Sequence, residues 1–185
     1  MIRALPLLFL ALGLPAQAAA TNTQLKGDYF TATAWQADDP CVSTWVYIWS
    51  VTTATKGKGG SSVVEQGAWY SSYDTCTGAS EFYQGTDLSG LRFTKGAASA
   101  SFVAEGYYSG ATRTFSVDLT VGSDTTTSKG ISNNRSRWSG GSMVIRSNSS
   151  YTSGSGTGTL DGLSATGATL SWGTSTSGTL TIETY

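Results

Sequence analysis

The sequence contains no histidine and few charged residues, and both shortages exclude classes of chemistry. Histidine is absent from the 185 residues, and Asp, Glu, Lys and Arg together make up 12%. Without imidazole, the chain cannot build a histidine-ligated zinc, copper or haem site. A Ser-His-Asp triad is excluded for the same reason. The sequence also lacks a convincing metal-ligand or cofactor pattern, so we expect no metal and no cofactor.

The sequence also has no large excess of positive or negative charge. The formal net charge is −1, and the lysines and arginines are scattered along the chain. A weakly acidic protein without a basic run gives no electrostatic reason to expect nucleic acid or an anionic membrane as a partner.

The first 20 residues have the layout of a secretory leader. Arg3 precedes an apolar run over residues 4–14, which is followed by Pro15 and by the small-residue pattern Ala16-Gln17-Ala18. The run is too short to cross a bilayer, which needs about 20 apolar residues. We therefore predict a signal peptide over 1–20, a single domain over 21–185 without a transmembrane segment, and a secreted or periplasmic location.

Only two cysteines are present, Cys41 and Cys76. In an oxidising compartment two such cysteines are expected to pair. The sequence therefore predicts one disulfide in the mature chain.

The mature chain has little helical periodicity and repeatedly alternates apolar with polar residues between glycine-rich breaks, which indicates an all-β protein. Alternation is clearest over 97–108 and 112–121, whereas residues 122–136 are predicted to form a long loop. The side chains expected to face inward are Ala98, Ala100, Phe102, Ala104, Phe115, Val117, Leu119 and Val121. Eight to ten short antiparallel strands favour a single-domain β-sandwich of immunoglobulin-like or jelly-roll type, with an up-and-down β-barrel as the alternative.

Three short patterns carry a resemblance to known proteins. They are Tyr73-Asp74-x-Cys76-x-Gly78, Leu91-x-Phe93 before an alanine-rich strand, and Val117-Asp118-Leu119-Thr120 before a glycine-containing loop. Over residues 28–122 the chain resembles a group of secreted bacterial all-β proteins to which no activity is assigned. The resemblance implies the fold class and the compartment and nothing about chemistry.

The strand beginning at Cys41 is the most aromatic segment. Trp45, Tyr47 and Trp49 share one face, and Val46 and Ile48 lie on the other. If the aliphatic face is buried, the three rings form an exposed platform suited to stacking on sugar rings, with Trp69 of the next strand as a further candidate. If instead the aromatic face is the core, the strand is simply a central, buried one.

Catalysis without histidine would need carboxylates. A small β-sandwich glycosidase or lyase would hold two of them about 5 to 9.5 Å apart. Glu105 and Asp118 lie on the polar faces of two adjacent candidate strands and are expected to meet across a hairpin. Each is also a normal solvent-facing residue of a strand.

These observations favour a secreted, non-catalytic protein that binds a ligand or associates with a surface through its aromatic strand. The expected partners are carbohydrate or another surface protein, with Trp45, Tyr47, Trp49 and Trp69 as the binding residues. The alternatives are the carboxylate-dependent enzyme and a pore-forming or self-associating β protein, which the rows of serine and threonine would suit.

Overall fold

A computed structural model of the chain describes residues 18–37, 39–56 and 60–184, with side chains for all of these positions except 18–21 and 184. Residues 1–17 of the predicted signal peptide lie outside the described residues. Within the described part of the chain, no helix is long and apolar enough to cross a lipid bilayer.

The described residues form ten antiparallel strands. In chain order they are β1 (Ala18–Gln36), β2 (Val42–Lys56), β3 (Ser62–Asp74), β4 (Ser80–Asp87), β5 (Arg92–Thr94), β6 (Ala97–Gly106), β7 (Thr112–Trp138), β8 (Gly141–Leu160), β9 (Leu163–Ser164) and β10 (Gly167–Thr184). The prediction of an all-β, antiparallel fold is confirmed.

The strand pairing closes into a ring. Starting from β1, the order is β1-β2-β3-β4-β6-β7-β8-β10, and β10 pairs again with β1. The short strands β5 and β9 pair with β6 and β8 beside this ring. The ring is compatible with both the sandwich and the barrel that the sequence left open.

The ring is complete over only part of its length, because β4 and β6 are much shorter than their neighbours. We call the part that lies beside β4 and β6 the closed half. It comprises β4, β5, β6, β9 and residues 29–36, 42–50, 67–74, 112–121, 151–160 and 167–173. The part that extends beyond β4 and β6 is called the open half, and it comprises residues 22–28, 51–56, 62–66, 125–138, 141–150 and 174–183.

The interior of the closed half is the hydrophobic core. Alternate residues of each strand point into it, as the pleat of a strand requires. Every inward residue predicted for 97–108 and 112–121 is buried there or packs against the buried set, with Val121 in the second group. The Phe115 ring lies at the centre, with its centroid 4.1 Å from that of Tyr70 and 5.6 Å from that of Phe102.

The prediction of a long loop over residues 122–136 is wrong. These residues belong to β7, which shifts register between Val121 and Thr125 and then pairs with β8 as far as Trp138. The segment covers no core, so its sequence is rich in glycine, serine and threonine and does not alternate apolar with polar residues. Hydrophobic periodicity therefore could not identify it as a strand. This part of β7 is stabilised by backbone pairing with β8 and not by burial of its side chains.

Candidate functional site

The register of β2 determines which face of the aromatic strand is exposed. Val46 and Ile48 are fully buried, and the aromatic residues that alternate with them point outward from the ring. Ile48 lies between Ala32 of β1 and Ala68 of β3, so the interior at this level is filled by small side chains. The aliphatic face of β2 therefore belongs to the core, and its aromatic side chains lie on the outer face.

The outward rings of β2 continue into neighbouring strands as one row of contacts. We call this row the aromatic ladder, and its six members are Trp45, Tyr47, Trp69, Phe82, Tyr107 and Tyr108. Successive ring centroids are separated by 6.1 Å (Trp45–Tyr47), 5.8 Å (Tyr47–Trp69), 6.4 Å (Trp69–Phe82), 6.1 Å (Phe82–Tyr107) and 5.0 Å (Tyr107–Tyr108). The ladder thus crosses β2, β3 and β4 and ends in the turn between β6 and β7.

The ladder is open to solvent at several rungs. Trp45 retains 36% and Trp69 39% of its accessible surface, and the values rise to 68% and 84% for Tyr107 and Tyr108. Tyr47 and Phe82 are half-buried between these neighbours. The result is a continuous apolar path that neighbouring strands leave uncovered.

Trp49 shares the outward face but packs differently. Its indole lies over Gly67 of β3, where a Cβ atom would overlap the ring. Trp35 of β1, which the sequence analysis did not select, covers Gly167 of β10 in the same way. Each ring replaces the side chain that its glycine lacks and shields the backbone of the adjacent strand.

Of the four predicted binding residues, the structure therefore brings Trp45, Tyr47 and Trp69 into one contact row and places Trp49 beside it. Phe82, Tyr107 and Tyr108 were not selected from the sequence. The backbone N–H of Tyr107 donates to the carbonyl of Phe82 at 2.8 Å, which ties the turn to β4 and completes the row. The Tyr-Tyr pair in a turn, where aromatic residues are uncommon, was the available signal.

The hydroxyl of Tyr47 can act as a polar contact within this apolar surface. Burial raises the pKa of Tyr47, and the nearby Tyr151 phenol raises it further. Because the shift is upward, the group stays protonated at neutral pH and can donate a hydrogen bond to a ligand.

The predicted carboxylate pair is not assembled. Register places Glu105 opposite Thr112 and Asp118 opposite Ser99, because the turn over 107–111 closes the hairpin immediately after Glu105. The two acids are therefore six positions apart along the pair of strands, about 20 Å at 3.4 Å per residue. This corrects the expectation that they meet, since a glycosidase pair needs a separation of about 5 to 9.5 Å.

The disulfide between Cys41 and Cys76 is present, as predicted. It joins the residue before β2 to the turn after β3, and the Thr75 N–H donates to the Cys41 carbonyl at 2.7 Å beside it. Asp74 lies close to both sulfurs, but sulfurs bonded to each other are not thiolate ligands for a metal.

Comparison of the chain with protein-family models, with curated proteins and with solved structures finds no match.

Proposed function

We propose that the protein is a secreted, non-catalytic binding protein whose aromatic ladder stacks on the sugar rings of an extracellular carbohydrate. The leader pattern and the disulfide both support an oxidising, extracytoplasmic compartment. The observation that carries the proposal is the ladder itself, a contiguous row of six rings of which four are exposed and two are half-buried. Large exposed aromatic surfaces on soluble proteins typically mark binding sites.

The aromatic rings and the hydroxyl group of the ladder suit stacking on a carbohydrate. Sugar rings present C–H groups on their faces, which pack against aromatic faces, and hydroxyls at their edges. The ladder supplies rings at regular spacing along a path several sugars long, and the Tyr47 hydroxyl lies within it. Such a surface suits an extended chain better than a compact small molecule.

The test is titration of the protein with a panel of neutral polysaccharides, followed by tryptophan fluorescence and calorimetry. Trp45→Ala and Trp69→Ala are each expected to weaken binding about tenfold or more, since a central aromatic anchor carries at least about 2 kcal/mol. Trp138→Ala is the matched control, because Trp138 is 47% exposed and lies outside the ladder. Absence of binding across the panel, or an equal effect of Trp138→Ala, would reject the proposal.

The exposed edge of β7 favours a second candidate, self-association. Among the described residues, positions 125–138 pair only with β8, so the other edge of β7 is available to another strand. Light scattering over a range of protein concentrations tests this candidate. A mass that rises with concentration supports it, and a constant monomer mass rejects it.

A further inference from the structure

The inner face of the open half concentrates positive charge that is scattered in the sequence. Register assigns the following basic residues to this face: Lys26, Lys56, Lys129, Arg135, Arg137 and Arg146. Among the described and paired positions of the same face, Asp28 is the one carboxylate. The even distribution of charge along the chain therefore conceals a strongly basic surface.

Two of these cations flank a glycine in one row across five strands. The register pairs Lys56 with Gln24, Gln24 with Gly178, Gly178 with Arg146, and Arg146 with Asn133. Adjacent strands are about 4.8 Å apart, so Lys56 and Arg146 start about 14 Å from each other on a flat sheet and closer on a curved one. Their long side chains can reach over the glycine from both sides.

A cavity of about 520 Å³ lies over this row. Its lining includes residues from β2, β1, β10, β8 and β7, so the sheet is concave here. A Cβ atom built on Gly178 would meet nothing within 4 Å, which makes this glycine the open floor of the cavity. The volume is within the range of ligand pockets, about 300 to 1,000 Å³.

Within the described ranges, neither cation of the cavity forms an ion pair with a carboxylate. The two ion pairs among the described residues are Lys26–Asp28 and Arg113–Asp161, and neither involves Lys56 or Arg146. Neutral polar side chains surround the two cations within the same lining. They are Gln24, Asn133, Asn148 and Thr176.

We propose that this cavity binds an acidic saccharide, a sugar chain carrying carboxylate, sulfate or phosphate groups. The Lys56 ammonium and the Arg146 guanidinium pair with the anionic group above Gly178, and the amide and hydroxyl side chains hydrogen-bond the sugar hydroxyls. The site is distinct from the aromatic ladder. Lys56 and Trp45 are 11 positions apart on β2, about 37 Å, so the inference does not depend on the proposed function.

Other anionic macromolecules fit this lining less well. The lining residues that the structure describes include no aromatic ring, whereas single-stranded nucleic acid binding relies on stacking of bases on such rings. Leu25 and Ile131 are the apolar residues among the described lining residues, and the other ten are polar, charged or glycine. Amide and hydroxyl groups beside the cations instead match a ligand rich in hydroxyls.

The experiment measures binding of the mature chain to five probes by calorimetry at physiological salt. The acidic probes are an oligogalacturonate and a sulfated oligosaccharide, the neutral probe is the methyl ester of the same oligogalacturonate, and the competing probes are oligo-dT and phosphatidylglycerol vesicles. We expect binding of at least one acidic oligosaccharide, at least tenfold weaker binding of the neutral ester, and weaker binding of the competing probes.

Three variants then locate the site. Lys56→Gln with Arg146→Gln is expected to weaken acidic binding about tenfold or more. Lys129→Gln with Arg135→Gln is the charge-matched control, because it removes the same charge from the same face outside the cavity lining. It is expected to weaken acidic binding about twofold, through the long-range electrostatic field alone. Gly178→Leu keeps every charge and fills the cavity, and it is also expected to weaken binding about tenfold. Unchanged far-ultraviolet circular dichroism confirms that each variant is folded.

Each result decides the proposal. Loss of binding in the cavity variants with retention in the charge-matched control supports it. Equal losses in both double variants, or full binding by folded Gly178→Leu, would show diffuse electrostatic attraction and overturn it. Tighter binding of oligo-dT or vesicles, or no binding of either acidic probe, would overturn it as well. Trp69→Ala is expected to leave acidic binding unchanged, which separates this test from that of the ladder.

Discussion

Six strands, β1, β2, β3, β7, β8 and β10, run through both the closed and the open half of the sheet, yet their side chains are buried in one half and exposed in the other. In β7, Phe115, Val117 and Leu119 are buried where β6 and β8 flank the strand. After the register shift at Val121, every residue from Gly122 to Trp138 is exposed. Burial in this protein is therefore decided by closure of the ring and not by membership of a strand.

Charge follows the same division. Asp74 and Asp87 end strands of the closed half and Asp161 lies in a turn there, and each accepts hydrogen bonds from nearby backbone groups. Lys56 and Arg146, which form no ion pair among the residues described, lie on the open half. The closed half thus carries the stability and the aromatic ladder, and the open half offers a polar surface that folding itself does not use.

The largest expected effect comes from removing a ring from the closed half. Phe115→Ala deletes a fully buried side chain that contacts Tyr70, Tyr83 and Phe102. It should lower the free energy of unfolding by about 3 to 5 kcal/mol in urea denaturation. Ile131→Ala, at an 85% exposed position of the open half, should change it by less than about 0.5 kcal/mol. Similar losses at both sites would contradict the division into halves.

Removal of the disulfide should have the next largest effect. The bond joins the residue before β2 to the turn after β3 and closes a loop of 35 residues. The double variant Cys41→Ser with Cys76→Ser should lose about 3 to 4 kcal/mol of unfolding free energy, because its unfolded chain is less restricted. Thermal melts with and without reductant measure the effect. The double variant serves as the control, since reductant should leave its melting temperature unchanged.

Two glycines, one in each half, allow the same comparison with smaller expected changes in the free energy of unfolding. At Gly67, in the closed half, a Cβ atom would overlap the Trp49 indole, whereas at Gly178, in the open half, it would meet nothing within 4 Å. Gly67→Ala should cost about 1 to 3 kcal/mol and shift the tryptophan emission as the ring is displaced. Gly178→Ala should be neutral within about 0.5 kcal/mol. Equal effects would mean that the ring does not rest on Gly67.

The smallest effect concerns a turn carboxylate. The Thr77 hydroxyl and the N–H groups of Thr77 and Cys76 donate to Asp74 and lower its pKa below the ordinary value of 3.8. Because the folded-state pKa is depressed, this stabilisation is complete above the unfolded pKa and is lost as the pH falls through the folded one. Asp74→Ala should therefore reduce the drop in melting temperature between pH 6 and pH 2. An unchanged drop would show that Asp74 does not contribute.

The closed half could be predicted from the sequence in part. Alternation over 97–121 gave the inward residues correctly, because the ring interior buries one face of each strand. The same rule left the aromatic strand ambiguous, since β2 is apolar on both faces. Only its neighbours Ala32 and Ala68 settle the matter by filling the interior beside Ile48.

The candidate sites were harder to predict because they depend on register between distant strands. Sequence spacing alone did not reveal that the hairpin turn keeps Glu105 away from Asp118. The row from Lys56 to Asn133 requires Gln24 to pair with Gly178, more than 150 positions away. No local pattern encodes such a pairing, and without apolar alternation the open half offered no periodic signal either.

Residue-resolved amide hydrogen exchange tests the distinction between the halves most directly. Strand β7 provides both environments in one continuous element, with residues 117–120 between two strands and residues 125–138 paired on one side only. We predict that the first segment exchanges only through global unfolding and that the second exchanges through local opening of much lower free energy. Uniform protection along the whole of β7 would contradict this account.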